Sequence, residues 1–209
     1  MQSWGTQSRF DDRDTDPEPS KSGVLGLVCA ALGRDRSEAL ADLSALRMGV
    51  RVDRPGVIQR DFHTAQSVIA ADKSKLHGTA VTYRHFIADA VFLVGLEGSD
   101  AALLDSIDAA LRNPHWPLSL GRRSFPPSEP VFLGPPIDPE PGVDERSLEV
   151  SLVAYPPLTD DPPSSYRFAL ESREPIGSLR MDQPLGPFSE RSFGARYVRT
   201  IVRARGEAP

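Results

Sequence analysis

The spacing of apolar residues along the chain predicts an alternation of helices and strands. Two stretches place apolar residues three or four positions apart, as an amphipathic helix does, and a third follows a serine that can cap a helix. Strands are predicted where apolar and polar residues alternate, or where a short apolar run is bounded by turn residues. The predicted helices are 20–32, 37–47 and 99–112, and the predicted strands are 48–53, 57–64, 86–96, 147–155, 166–170 and 195–205.

One segment, from about 65 to 85, separates two predicted strands and has no strong period of its own. An insertion of this length inside a compact domain usually carries a function or is disordered. Two interpretations stand at this point, a functional protrusion and a mobile surface loop with solvated lysines. The basic residues of the segment are Lys73, Lys75, His77, Arg84 and His85.

Composition narrows the class of protein. With 39% hydrophobic and 25% charged residues in a chain of 209, the sequence is typical of a soluble globular protein with a substantial core. No apolar run approaches the ~20 residues of a membrane-spanning helix, and the N-terminus lacks the pattern of a signal peptide. The single cysteine, Cys29, excludes an intrachain disulfide and a cysteine-based zinc cluster. We therefore expect a cytoplasmic protein that uses no cofactor, no metal and no membrane.

The charge and the prolines add two constraints. The net charge is −5, whereas a protein that coats nucleic acid without regard to sequence is normally basic. Any RNA binding by this chain must therefore depend on local patches. The 20 prolines concentrate at 114–142 and 156–187, which predicts a loop-rich second half.

The most distinctive local patch is a pair of arginines on a stiffened turn. Gly121 precedes Arg122 and Arg123, and Pro126 and Pro127 follow them. Glycine permits a positive φ or the close approach of another backbone segment, and each proline restricts its own φ and the residue before it. Two guanidinium groups on such a turn suit phosphate or carboxylate groups, although an ordinary solvated turn has the same composition.

The start of the first predicted helix is a second candidate anion site. It reads Ser20, Lys21, Ser22, Gly23. Free backbone N–H groups, hydroxyls and an ammonium group at a helix N-terminus can bind a phosphate. The serines are equally consistent with simple capping of the helix.

The last predicted strand carries a third basic pattern. Tyr197, Arg199, Arg203 and Arg205 share one face of it. Such a row can follow a phosphate backbone, or it can protect an exposed strand edge from pairing with other chains.

Four segments in order resemble the CasD-like subunits of the type I-E CRISPR complex Cascade, which belong to the RAMP superfamily. They are Met1–Gly5, the stretch Ser-Lys-Ser-Gly-Val-Leu-Gly-Leu at 20–27, Arg-Asp-Phe-His-Thr at 60–64, and the stretch at 118–134 with its Leu-Gly-Arg-Arg-Ser and Pro-Val-Phe-Leu-Gly motifs. The resemblance extends from Met1 to about Gly134 and then thins to scattered matches.

The resemblance and the predicted order of elements imply an α+β fold. We expect a ferredoxin-like (RRM-like) RAMP domain over 1–134, with a β-hairpin thumb inserted at about 65–85. A Pro-rich β region over 135–209 would complete the fold. The first strand of the family is absent from the sequence as written, so we expect an apolar strand to be encoded upstream of Met1.

The resemblance implies a non-catalytic RNA-binding subunit that anchors the 5′ handle of the guide RNA. Its expected protein partners are a CasC-like backbone subunit, whose filament it caps, and a CasA-like large subunit; no small-molecule substrate is expected. A single-stranded handle is recognised through splayed bases and phosphates. The candidate RNA contacts are Trp4, Lys21, Ser22, Arg60, His63, Lys73, Lys75, Arg84, Arg122 and Arg123. Trp4 or Phe62 would stack on a base, although Trp4 is equally suited to capping the core.

Two other functions compete with this one. In a related CRISPR subtype the equivalent subunit is a metal-independent endoribonuclease that processes the guide precursor. That chemistry needs a base near a 2′-hydroxyl and cations at the scissile phosphate. The residues able to supply these groups are His63, His77, His85, Tyr83 and Lys75. A small-molecule-sensing ferredoxin-like domain is the third possibility, but the sequence has no glycine-rich ligand loop.

Overall fold

The computed structural model describes residues 1–5, 11–70, 72–133 and 146–207. In these residues the helices are α1 (Lys21–Leu32), α2 (Ala41–Ser44), α3 (Ala101–Arg112) and α4 (Leu148–Ala154). The strands are β1 (Asp12–Arg13), β2 (Arg47–Arg54), β3 (Val57–Ile69), β4 (Leu76–Ala88), β5 (Val91–Glu97), β6 (Ser165–Ser172), β7 (Ser178–Pro184) and β8 (Phe193–Ala204).

Five strands form one antiparallel sheet in the order β5-β2-β6-β8-β7. Helices cover both faces, so β2 is buried from Met48 to Asp53. One face packs on α1, which in turn packs on α2 and α3, and the other face packs on α4. The segment after residue 135 contributes β6, β7 and β8 to the same sheet as β2 and β5. The predicted mixed α+β class is confirmed, while the ferredoxin-like topology and the strand upstream of Met1 stay predictions.

The ends of the helices follow the local sequence. The hydroxyl of Ser20 accepts a hydrogen bond from the Gly23 amide at 3.3 Å, and Gly33 ends α1 with φ of 75°, as its position after the apolar stripe predicts. Asp100, rather than Ser99, caps α3 by accepting from the Leu103 amide at 3.1 Å. α2 is shorter than the predicted helix at 37–47: it begins only at Ala41, and the chain already enters β2 at Arg47.

The strand predicted at 147–155 is wrong, since this segment forms α4. Leu148 and Leu152 are four residues apart, which places both on one helical face, and Ser147 caps the helix by accepting from the Val150 amide. The sheet makes room for them with two glycines. A Cβ at Gly49 would lie 2.7 Å from Leu152, and one at Gly95 would lie 2.6 Å from Leu148. Leu148 and Leu152 fit the alternation of a strand as well as the spacing of a helix, which explains the wrong prediction.

β3 and β4 form a long hairpin that leaves the main sheet. Each strand has 13 residues, or about 40 Å of extended chain, and almost every described side chain of β3 is exposed. The hairpin (57–88) contains the predicted insertion at about 65–85, but it begins earlier because the predicted strand at 57–64 continues without a break. At its root, β1 pairs in parallel with β4, placing Arg13 beside Arg84.

The N-terminal segment Met1–Gly5 is held between β4 and the loop at 118–125. The Gln2 amide donates to the Ile87 carbonyl and the Ile87 amide donates back to Gln2, at 2.9 and 2.8 Å. The Ser3 amide donates to the Leu120 carbonyl at 3.0 Å. Gly121 has φ of 89°, and a Cβ there would lie 1.7 Å from the Ser3 carbonyl oxygen. Both features expected of Gly121, a positive φ and a close backbone approach, are confirmed.

Lys21, expected to contact RNA, is instead part of a buried network of charges. Its side chain is 1% exposed, and its ammonium donates to Glu171 at 2.9 Å and to the Ser44 carbonyl at 3.1 Å. Burial lowers the pKa of Lys21, an effect that Glu171 opposes. The Lys21 amide donates to Asp182, which also binds Arg196 at 2.6 and 2.8 Å. Burial alone would raise the pKa of Asp182, but these partners hold it below its usual value.

Replacement of Gly121 tests whether the close backbone approach supports the fold. Gly121→Ala should lower the free energy of unfolding by more than about 1 kcal/mol, because alanine disfavours this φ and its Cβ would displace Ser3. The matched control is Gly78→Ala on β4, where no atom lies within 4 Å of the added Cβ. Chemical denaturation of both variants measures the difference, and equal stabilities would show that the N-terminal segment is not held at Gly121.

Replacement of Lys21 tests its structural role. Lys21→Met should lower the free energy of unfolding by about 3 kcal/mol, because it removes the buried ammonium and leaves the partly buried Glu171 carboxylate with fewer partners. Lys73→Met, at the exposed tip of the hairpin, should change stability by less than about 0.5 kcal/mol. Denaturation curves for the two variants give the comparison. A fully stable Lys21→Met would return Lys21 to the candidates for ligand binding.

Candidate nucleic-acid interface

Three arginines converge at the root of the hairpin, and we call them the arginine cluster: Arg13 on β1, Arg84 on β4 and Arg122 in the loop at 118–125. Arg122 is half-buried and donates to the His85 carbonyl at 3.0 Å. Burial, and after it the charges of Arg84 and Arg13, lower the pKa of Arg122. An arginine remains charged under these conditions. The cluster is therefore a local concentration of positive charge on a chain whose net charge is negative.

The loop that carries Arg122 is stiff, as its sequence predicts. The Leu120 amide donates to the Phe125 carbonyl at 2.8 Å, and the Phe125 amide donates to the Arg122 carbonyl at 2.9 Å. The Phe125 ring is buried and lies 5.8 Å from the ring of Phe86 on β4. Arg123 is exposed on this closed loop, so its guanidinium is available to a ligand beside that of Arg122.

One face of the hairpin presents exposed rings, and we call it the ring face: Arg60, Phe62, Val81 and Tyr83. Phe62 and Tyr83 are directly opposite each other on β3 and β4. They are 65% and 44% exposed. The Arg60 guanidinium lies 5.0 Å from the centre of the Tyr83 ring, within the range of a cation–π contact. The expected stacking residue Phe62 thus lies beside a second ring and a cation.

The opposite face of the hairpin is polar. His63 lies 3.0 Å from the Asp61 carboxylate, and Arg84 donates to the Thr82 hydroxyl at 3.2 Å. His85 belongs to the ring face, where it lies 3.4 Å from Asp12. His63 and His85 therefore point to opposite sides of the two-stranded ribbon and do not meet at one phosphate. The His77 side chain lies outside the part of the structure that is described.

The other predicted contacts do not join this site. Lys73 and Lys75 are exposed at the tip of the hairpin, about 40 Å of strand away from its root. Trp4 is buried, donates from its indole N–H to the Gln2 side chain at 3.0 Å, and packs on Gly23. The core-capping alternative for Trp4 agrees with this placement. Lys21 is buried as described above, and Ser22 is half-buried on α1.

Two arginines of the basic row on the last strand share one carboxylate. Arg199 and Arg203 both lie near Glu149 on α4, at 3.7 and 3.2 Å. β7 pairs with β8 only as far as Val198, and in the described residues 199–204 of β8 pair with β6 alone, so edge protection remains an explanation for Arg199 and Arg203.

Sequence reasoning missed Arg13. It lies in a short acidic stretch at 9–19 that has the composition of a loop. Only two residues, Asp12 and Arg13, pair with β4 there, and a contact so short leaves no periodic signal. Within residues 1–5, 11–70, 72–133 and 146–207, no group of His, Cys, Asp and Glu side chains could hold a metal ion. In the same residues, no helix is long and apolar enough to cross a membrane.

Two solved structures are similar to this chain over nearly its whole length. One, titled "Crystal structure of Cas protein", is 49% identical and matches 100% of this chain and 92% of its own with a TM-score of 0.78. Another, titled "CRISPR RNA-guided surveillance complex", is 33% identical and matches 97% of this chain and 86% of its own with a TM-score of 0.75.

The sequence comparisons agree. The chain is similar to the CRISPR system Cascade subunit CasD of Escherichia coli (strain K12), with 36% identity over 151 residues, which are 64% of this chain and 66% of that protein. A family model described as CRISPR-associated protein (Cas_Cas5) matches residues 1–199. The chain, with its exposed hairpin and arginine cluster, therefore belongs to the CRISPR-associated protein (Cas_Cas5) family.

Proposed function

We propose that this chain is a non-catalytic RNA-binding subunit of a Cascade-type CRISPR surveillance complex, in which it anchors the 5′ handle of the guide RNA. The observation that carries the proposal is the convergence of Arg13, Arg84 and Arg122 at the root of an exposed hairpin. The Asp61 carboxylate, opposite Arg84 on the hairpin, offsets part of this charge, and guanidinium groups held this close to one another favour the approach of a further anion. The phosphates of a single-stranded handle are suitable anions, since they present several charges along one path.

The two sides of the hairpin root offer the two kinds of contact that single-stranded RNA needs. The arginine cluster and Arg123 supply cations for phosphates. The ring face supplies Phe62 and Tyr83, on which unpaired bases stack without a strict sequence requirement. A strand of RNA that passes the root of the hairpin would use both surfaces.

The length of the hairpin supports a role in assembly. Its distal half, beyond about residue 65, adds little to the core and ends in a turn that carries Lys73 and Lys75. A protrusion of this kind reaches past the bound RNA to a neighbouring subunit. We assign the neighbours as a CasC-like backbone subunit, whose filament this chain caps, and a CasA-like large subunit.

The arrangement of histidines favours binding over catalysis. RNA cleavage without a metal needs a base and an acid on the two sides of one phosphate. His63 and His85 lie on opposite faces of the hairpin, and each has a carboxylate beside it. His63 and His85 therefore do not form such a pair, and we expect the guide precursor to be cut by another protein.

Alanine at Arg122 or Arg123 should weaken binding of the guide RNA by the assembled complex about tenfold or more. A charge-assisted contact to a phosphate contributes roughly 1.5–3 kcal/mol, and ~1.4 kcal/mol is one decade of affinity. The loss should shrink at high salt, because phosphate contacts release counterions. Lysine should rescue only in part, since it lacks the planar fork. Equilibrium binding at two salt concentrations, with intact guide recovered afterwards, is the measurement.

The control for this prediction is Arg173→Ala, since Arg173 is largely exposed and lies 3.8 Å from its nearest acidic partner. Arg123→Ala should leave the melting temperature unchanged, because Arg123 is exposed. If both alanine variants bind guide RNA like the wild type, the loop at 118–125 is a structural turn and the site is wrong.

Alanine at Phe62 or Tyr83 tests the ring face. Loss of one stacked base should weaken guide binding by five- to a hundredfold, from about 1–3 kcal/mol per base. Phe62→Tyr keeps the ring and should bind normally. Leu179→Ala removes an equally exposed apolar side chain from β7 and is the matched control. Unchanged RNA affinity of Phe62→Ala, together with failed subunit assembly by native mass spectrometry, would assign the ring face to a protein neighbour.

A further inference from the structure

The segment at 11–14, which we call the strap, includes β1 and lies along the edge of β4 at the root of the hairpin. The Tyr83 amide donates to the Asp11 carbonyl at 2.6 Å, and the Asp12 carboxylate lies 3.4 Å from His85. The strap reads Asp-Asp-Arg-Asp, so it has no apolar side chain to bury. A segment held by exposed hydrogen bonds, without buried apolar contacts, opens at a small cost in free energy. We therefore expect the strap to detach from β4 readily.

The chain that follows the strap is firmly anchored. The Trp4 amide donates to the Thr15 hydroxyl at 2.8 Å, and Trp4 itself is buried. Glu18 is also buried, and it forms ion pairs with Arg167 on β6 and Arg180 on β7. Detachment of the strap should therefore stop at Thr15, which leaves 11–14 to move as a short arm on a fixed base.

Closure of the strap brings a third cation to the arginine cluster. In the closed position Arg13 pairs with Arg84 on β4. Burial, and after it the charges of Arg84 and Arg13, lower the pKa of Arg122, so the three guanidinium groups interact when the strap is closed. Their repulsion opposes closure, and the Asp61 carboxylate offsets part of it.

A phosphate group reverses this balance of charges. It attracts all three guanidinium groups, but it can use Arg13 only when the strap lies on β4. A ligand that binds one of two conformations more tightly shifts the population toward that conformation. The cluster therefore gives an anion a reason to close the strap.

We propose that the strap opens readily in the free subunit and closes onto β4 when a phosphate group of the bound RNA enters the arginine cluster. This inference rests on the proposed function, because it assigns a conformational change to the same RNA site. Phosphate binding and strap closure then favour each other by the same factor. Because Tyr83 pairs with Asp12 in the closed position, phosphate binding also fixes the backbone of a residue of the ring face.

Hydrogen exchange of single backbone amides, followed by NMR on the full-length chain, tests the proposal. The Tyr83 amide reports on the strap, because it donates to Asp11. The Ile87 amide donates at 2.8 Å to Gln2 on the same edge of β4 and is the matched control. In the free chain, after correction for intrinsic rates, Tyr83 should exchange at least about tenfold faster than Ile87.

A saturating oligonucleotide with the sequence of the 5′ handle should then slow the exchange of Tyr83. The expected change is about fivefold or more, the lower end of typical coupling between two sites. The exchange of Ile87 should stay the same, because its acceptor does not belong to the strap.

Two further arms separate strap closure from direct cover of Tyr83 by the RNA. Inorganic tripolyphosphate, which supplies phosphates without bases, should also slow the exchange of Tyr83 when ionic strength is matched with sodium chloride. Arg13→Gln removes the cation that the phosphate attracts, so neither probe should slow Tyr83 in this variant. Arg173→Gln removes a largely exposed arginine outside the cluster and should respond like the wild type.

The outcomes distinguish this inference from the proposed function. If Tyr83 and Ile87 exchange equally slowly in the free chain, the strap is a permanent part of the sheet and the inference is wrong, while the proposed function stands if Arg122→Ala still weakens guide binding. If the oligonucleotide slows Tyr83 in Arg13→Gln as much as in the wild type, the RNA covers this amide directly and the inference is again wrong. If tripolyphosphate closes the strap as expected, but a complex without this subunit retains the guide equally well, the strap responds to phosphate and the proposed function fails.

Discussion

The contact between Gly121 and the backbone of Ser3 positions the loop at 118–125 against the N-terminal segment. Only glycine fits there, because a Cβ would overlap the Ser3 carbonyl. This contact lets the N-terminal segment lie between β4 and the loop at 118–125, with hydrogen bonds to both. The loop is thereby fixed beside β4, and Arg122 is brought to the His85 carbonyl and to Arg84. This backbone contact thus brings together the arginines on which the proposed RNA site depends.

Buried charged side chains fix how the helices pack on the main sheet. Arg51 binds the carbonyls that end α4, and Lys21 joins α1 to Glu171 on β6. Each charge is paired, as burial requires, and removal of one partner leaves the other without compensation. Because burying charges costs free energy, these networks add little net stability, but they fix the positions of the helices on the sheet.

The sequence predicted the features that depend on local chemistry. The stripe of α1, the role of Gly33 and Gly121, and the pair of arginines on a stiff turn all follow from neighbouring residues. The errors concern contacts between distant parts of the chain. Lys21 is typical of an anion site until Glu171, 150 residues away, is placed beside it. The strand predicted at 147–155 failed because Leu148 and Leu152 satisfy both periods, and the helix is favoured by the cap at Ser147 and by the space that Gly49 and Gly95 leave across the sheet.

If the proposed function is right, guide RNA crosses the root of the hairpin, with phosphates on the arginine cluster and unpaired bases on the ring face. Site-specific photocrosslinking tests it most directly. Guide RNAs with a single photoreactive base at successive handle positions would be assembled into the complex, irradiated and digested, and the crosslinked peptides identified by mass spectrometry. The account predicts crosslinks to peptides that contain Phe62, Tyr83 or Arg122. Crosslinks confined to other subunits, or to the β7 side of the sheet, would contradict it.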